Sequence, residues 1–137
     1  MIEGVQITDL KVIGTDKGDI KHALKSSEFS FEKFGEAYFS EVHQNVIKGW
    51  KLHKEMILNL IVPCGLIKFV IFEEKTGQFM EIEIGEQNYK RLTIPSDLWV
   101  AFQGKSSTQN VLLNIGSIEH DPNESISKNL DEIEYCW

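Results

Sequence analysis

Cysteine is nearly missing from this sequence: Cys64 and Cys136 are its only two. They lie far apart and match neither a CxxC nor a metal-ribbon spacing, which excludes a disulfide framework and leaves two free thiols. Long apolar runs are missing as well. None approaches the ~20 residues needed to cross a membrane as a helix. The start, MIEGVQITDLKVIG, has no basic segment followed by an apolar one and a small-residue cleavage site, so a cytoplasmic protein is expected. Positive charge is in deficit, with 14 Lys and Arg against 21 Asp and Glu and a net charge of -7. General nucleic-acid binding draws its affinity from Lys and Arg neutralising phosphates, and this balance argues against it.

What is present is a set of short β patterns. VQITDLKVI, MILNLIVP, LIKFVIFEE, FMEIEIG, KRLTIP, LWVAFQ and NVLLNIGSI alternate or are apolar throughout, and PCG, EKTGQ, GEQN, IPSD and QGKSSTQN punctuate them with turn chemistry. EKTGQ reads as a hairpin. Only His22 to Tyr38 carries a helical period. Many strands at close spacing in 137 residues predict one all-β domain, residues 1–137, folded as a sandwich or barrel. LIKFVIF is apolar on both faces, so a second layer must cover it, and a partner subunit is a candidate for that layer. The tail NESISKNLDEIEYCW is polar until its last aromatics, which predicts a terminus that docks.

Against the acidic background, KGWKLHKEMILNLIVPCG places three lysines and a histidine at the head of an apolar run. Residues two apart on a strand share a face. Lys51 and His53 therefore point one way and Trp50 and Leu52 the other, with Asn59 in the parity of Lys51 unless the turn at Lys54 and Glu55 resets it. Two basic groups side by side suit proton abstraction or anion binding. A metal cupin would need His at HxH, a following acid and a third His on a later strand. Here the first position is Lys51 and the later one is Val100, so no metal is expected.

Four segments together resemble the dTDP-4-dehydrorhamnose 3,5-epimerase family of sugar-nucleotide cupins. TDKGDI is similar to its Asp-Glu-Arg-Gly segment, VIKGWKLH to its Val-Leu-Arg-Gly-Leu-His-Tyr-Gln strand, LTIPSDLWVAFQG to its Ile-Pro-Pro-Gly-Phe-Ala-His-Gly-Phe segment, and HDPNESISKNLDEIEYCW to its Tyr-Ser-Pro to Asp-Trp stretch. The spacing of Lys51, His53, Met56 and Asn59 resembles a shorter branch of the family. The resemblance implies a jelly-roll cupin, a homodimer, no cofactor, and a nucleotide-linked 4-keto-6-deoxy sugar, a dTDP-sugar foremost, as substrate.

It also implies site roles. The family's base histidine aligns with Lys51, its catalytic tyrosine, through Pro122, with His120, and the aspartate that orients its base beyond Trp137. The implied catalytic set is Lys51 or His53 as base, the other as oxyanion partner, and His120 as acid. Lys17 and Lys48 stand where the family places phosphate-binding arginines, while Asn59, Gln103 and Glu41 fall at polar wall positions. The leading expectation is an epimerase working by cofactor-free proton abstraction through an enolate. A non-catalytic sugar-nucleotide binding module and a 3,4-ketoisomerase-like cupin are the alternatives.

Overall fold

The computed structural model describes residues 1–137, and the chain is built almost wholly of strands. They run β1 (Gln6–Asp9), β2 (Val12–Ile13), β3 (Ile20–Lys21), β4 (Glu36–Glu41), β5 (Ile47–His53), β6 (Leu58–Cys64), β7 (Leu66–Glu73), β8 (Gln78–Gly85), β9 (Lys90–Ile94), β10 (Trp99–Gly104), β11 (Val111–Gly116) and β12 (Ser125–Ser127). One 3₁₀ turn, Leu130–Glu132, follows. No helix is long and apolar enough to cross a membrane.

Two five-stranded antiparallel sheets form, ordered β1-β9-β6-β11-β4 and β12-β5-β10-β7-β8, and β2 and β3 pair apart from both. Apart from the β7–β8 hairpin, neighbours in each sheet are distant in sequence, as in a jelly roll, and this is the expected fold. The EKTGQ hairpin closes β7 on β8 with Glu73 opposite Gln78. Gly65, at φ +84°, makes the corner between β6 and β7, where a Cβ would lie 2.2 Å from the Gln109 carbonyl oxygen. Only glycine fits there.

The alternation along β7 explains how the layers close. Ile67, Phe69 and Ile71 point between the sheets into a core shared with Leu60, Val62, Ile84, Leu92 and Ile94. Val70 points outward and joins Trp50, Trp99, Ala101 and Ile133 in a second cluster, with Leu52, Phe72, Tyr135 and Trp137 packed on it. The layer over LIKFVIF therefore comes from the chain's own tail, and a partner subunit is not needed to cover it. Trp137 lies 6.1 Å from Trp50 between ring centroids, and Tyr135 meets Trp137 edge-on at 5.1 Å. Lys68 sits over both tail rings, at 5.2 and 5.7 Å. Burying side chains of this size contributes about 1.5–3 kcal/mol each.

The expected helical stretch is not helical. Residues 22–35 form irregular backbone before β4, because a buried arginine holds them open. Arg91, 1% exposed, donates to the Ala23 carbonyl at 2.6 Å and the Ser30 hydroxyl at 2.8 Å, and pairs with Glu28 at 2.5 Å. The backbone oxygen of Ser30 also accepts from Asn59. These tertiary bonds replace those a helix would have made for itself.

Candidate active site

Between the sheets lies a cavity of about 350 Å³. Strand parity builds its wall. From β5 come Lys51 and His53, joined by Lys48; from β6 come Leu58 and Leu60; from β10, Val100 and Phe102. The facing edge is made by Tyr38 and Ser40 of β4 and by Leu112 and Asn114 of β11. Gly49 is also in the wall, and a Cβ there would lie 2.3 Å from that of Ala101, so glycine is what lets β5 approach β10. One side of the cavity is thus basic and the other is apolar, with a tyrosine and an asparagine set into it.

His53 is half-buried and its Nδ1 is hydrogen-bonded to Oε1 of Glu124. Glu124 itself is 5% exposed, and its Oε2 accepts the backbone N–H groups of Glu55 and Met56, each at 3.0 Å. Burial by itself would push the Glu124 carboxyl up, but the bonds from His53, Glu55 and Met56 outweigh it and hold this group below the usual carboxylate range. An ionised Glu124 accepts the hydrogen bond from Nδ1–H, which keeps the proton on Nδ1 and leaves the Nε2 lone pair for the cavity. The dyad is fixed by backbone pairing: β12 runs beside β5 with Ser125 opposite His53, and the Lys54 N–H donates to the Glu124 carbonyl oxygen at 2.8 Å.

Across the cavity, Tyr38 and Asn114 are direct cross-strand partners. The Asn114 Nδ2 donates to the Tyr38 hydroxyl at 3.0 Å. Burial, and next the charge of Glu36, push the Tyr38 phenol up, so it stays protonated. Lys48 donates to the Glu41 backbone oxygen at 2.5 Å and to Ser40 at 3.3 Å, which ties β5 to β4. Lys51 is exposed and has no salt-bridge partner. No three His, Cys, Asp or Glu side chains converge as a metal site would require.

Of the residues expected from the sequence, Lys51, His53 and Lys48 meet in this cavity and the others lie elsewhere. His120 is exposed: β11 ends at Gly116, Ser117 caps the Ile57 N–H with its hydroxyl, and the chain has left the sheet before His120. Asn59 is buried on the opposite face, accepting from Thr93 at 2.6 Å, because the turn after His53 resets the parity and turns Leu58 and Leu60 inward. Glu41 binds Gln109 with its carboxylate, and Gln103 reaches the Asn45 carbonyl, both outside the wall. Lys17 is exposed in the turn joining β2 and β3. The family's aspartate falls beyond Trp137, but a carboxylate does meet His53 from within the chain, that of Glu124.

Three polar residues of the site, Glu124, Tyr38 and Asn114, are not among those expected from the sequence. The turn Asp121-Pro122-Asn123 ahead of a short strand was a signal for Glu124, but only the register of β12 on β5 reveals its partner. Tyr38 lies inside the stretch His22–Tyr38, whose period is helical.

A jelly roll whose cavity presents a carboxylate-held histidine beside lysines is a cupin-type fold with groups suited to acid–base chemistry. The chain belongs to the family described as FdtA: WxcM-like, C-terminal, which matches residues 3–135. A dTDP sugar isomerase from Desulfovibrio desulfuricans has a crystal structure that superposes with a TM-score of 0.94 at 31% identity, over 99% of this chain and 92% of that one. A probable low-salt glycan biosynthesis epimerase of Haloferax volcanii is 27% identical over 120 residues, 82% of this chain and 77% of that protein. A spore coat polysaccharide biosynthesis protein of Bacillus subtilis is 24% identical over 135 residues, 95% of this chain and 89% of that protein. The isomerase class expected from the sequence agrees with the Desulfovibrio and Haloferax relatives.

Proposed function

We propose that the protein is an epimerase acting on a nucleotide-linked 4-keto-6-deoxy sugar, a dTDP-sugar foremost, by proton transfer through an enolate. The observation that carries this reading is the His53 and Glu124 dyad facing a cavity with Lys51 beside it. His53 Nε2 takes the proton from the carbon next to the ketone, and the electron pair moves onto the carbonyl oxygen. The Lys51 ammonium stabilises that oxyanion, a role that residue type fills without help from a cofactor. Tyr38 belongs to the other sheet. A proton returned by its hydroxyl reaches the opposite face of the carbon and inverts the centre, and solvent then resets tyrosinate and imidazolium. Lys48, tethered to β4, is placed to meet the diphosphate as a point charge.

The same reading includes a cytoplasmic homodimer. The β2 and β3 hairpin leaves Val12, Ile13 and Ile20 exposed, and Phe39 on the edge strand β4 is 69% exposed. A second copy would cover these, and only in such a pair would Lys17, at the hairpin turn, approach a bound nucleotide. Light scattering that gives a monomer at micromolar concentration would refute the dimer.

In deuterated water, with a panel of 4-keto nucleotide sugars, the protein is expected to load deuterium next to the ketone of at least one. His53→Ala is expected to abolish this. Saturable binding without exchange would leave a binding module instead. That alternative rests on the family's missing aspartate and on a base that does not align with the family's; the Glu124 carboxylate beside His53 weighs toward the epimerase. A product with its ketone moved to the neighbouring carbon would identify a 3,4-ketoisomerase.

A further inference from the structure

Strand β5 does not alternate along its whole length. Lys48, Lys51 and His53 all line the cavity, yet Lys48 and Lys51 are three apart and a regular strand would set them on opposite faces. The register with β10 explains it: Val100 stands opposite Lys51 and Phe102 opposite Lys48, so two steps along β10 match three along β5. Strand β10 itself alternates without a break, Val100 and Phe102 inward, Trp99 and Ala101 outward. The extra residue therefore belongs to β5, in a bulge at Gly49 and Trp50, and a bulge of this kind re-aims the side chains beside it.

Trp50 is the fastened half of this bulge. Its N–H donates to the Lys128 carbonyl oxygen and its own carbonyl accepts from the Lys128 N–H, each at 3.0 Å, so the segment that follows β12 holds this residue by its backbone. Its ring is buried among Val70, Trp99, Ala101 and Ile133, with Trp137 packed against it. The indole Nε1 has no hydrogen-bond partner there, so packing alone holds the ring. We infer that Trp50 is a positioning residue of the site: anchored under the tail, it pins the bulge that turns Lys48 onto the face of Lys51 and His53. This rests on the epimerase reading above for what Lys48 meets, the substrate's diphosphate, and adds to it the reason that the anchor and the reacting groups share one wall. Without the indole the extra residue is free to slip toward Ile47, and Lys48 turns out of the wall. Lys51 and His53 stay, because Ser127 and Ser125 of β12 pair with them from the other side.

The test is a double-mutant cycle read by dTDP binding in titration calorimetry and by deuterium exchange at saturating sugar. Lys48→Ala is expected to weaken dTDP binding about 10-fold, as loss of one charge-assisted contact does. Trp50→Ala is expected to weaken it to within about threefold of that, and the double variant to bind within about twofold of Lys48→Ala alone, because the two substitutions remove one and the same contact. Exchange at saturation is expected to stay within about threefold of native in Trp50→Ala, a loss in KM and not in kcat. Trp50→Phe is expected to bind dTDP as the native protein does, since the N–H it lacks makes no bond. Losses that multiply in the double variant would overturn the inference and leave the epimerase reading in place. A Trp50→Ala protein that is less stable to urea yet binds dTDP with native affinity would do the same. Should Trp50→Ala fail to fold, Trp137→Ala uncovers the same ring from the half-buried tail, and its cycle with Lys48→Ala decides. A native protein that neither binds dTDP nor exchanges into any 4-keto sugar would remove the epimerase reading, and this inference with it.

Discussion

Glu124 and His53, 71 residues apart in the chain, are joined side chain to side chain at the point where β12 starts along β5. The contact does two jobs at once. It fixes the imidazole tautomer on one carboxylate oxygen and closes the turn after β5 with the other.

Separating those jobs is the first prediction. Glu124→Gln keeps an acceptor for Glu55 and Met56 but loses the charge that holds the proton on Nδ1. Exchange next to the ketone is expected to fall about 10²- to 10⁴-fold, with KM little changed. Glu124→Ala is expected to lose a further ~1–3 kcal/mol of folding stability, read by urea denaturation, because two backbone N–H groups lose their partner. Equal stability in the two variants would contradict the second job.

Acid should expose the same carboxyl. Its folded value lies below the ordinary 4.5, so above that pH the native state gains from the ionised group, and the gain is lost as pH falls through the folded value. The native protein is expected to melt higher than Glu124→Gln at neutral pH, with the gap closing on acidification below about 4.5. A gap constant from pH 7 to 3 would mean that Glu124 is not ionised in the fold.

Tyr38→Phe removes the proposed acid and spares the base. Deuterium loss or gain at the first step is expected to persist while inverted product falls by about 10²-fold or more. His120→Phe, at an exposed loop, is expected to change neither. If the His120 variant were the one to uncouple exchange from product, the second proton would have to come from outside the cavity wall.

Lysine position is the last contrast. Lys51→Ala is expected to lower turnover about 10²- to 10³-fold, as loss of an oxyanion partner does, and Lys54→Ala to be nearly silent. Similar mild effects at both would reduce the basic stretch to a solvated edge.

The all-β class, the hairpin at EKTGQ and the docking tail could be read from alternation and turn residues, because those signals are local. Lys51 and His53 shared a face for the same reason. Asn59 could not be placed, since its side depended on how many residues the turn after His53 consumed. His120 was carried by alignment through Pro122, and the strand that would have brought it inward stops at Gly116. The stretch His22–Tyr38 misled because its period is helical while its partner, Arg91, lies far along the chain. Glu124 illustrates the general limit: a carboxylate acquires its role from strand register, and a single sequence carries no direct record of which strands will be neighbours.

Strand β5 has one further consequence. Its inward side chains include Lys51 and His53, and Trp50 on its outward side is locked beneath Trp137. Inserting or deleting one residue between Ile47 and His53 would exchange the two faces, sending an indole into the cavity and an imidazole under the tail. Length variation should be purged from this segment, while the turn Glu74–Gly77, where an added Cβ on Gly77 meets nothing within 4 Å, has room to accept it. Across natural variants or a random insertion library, the map of tolerated gaps would therefore trace the chemistry.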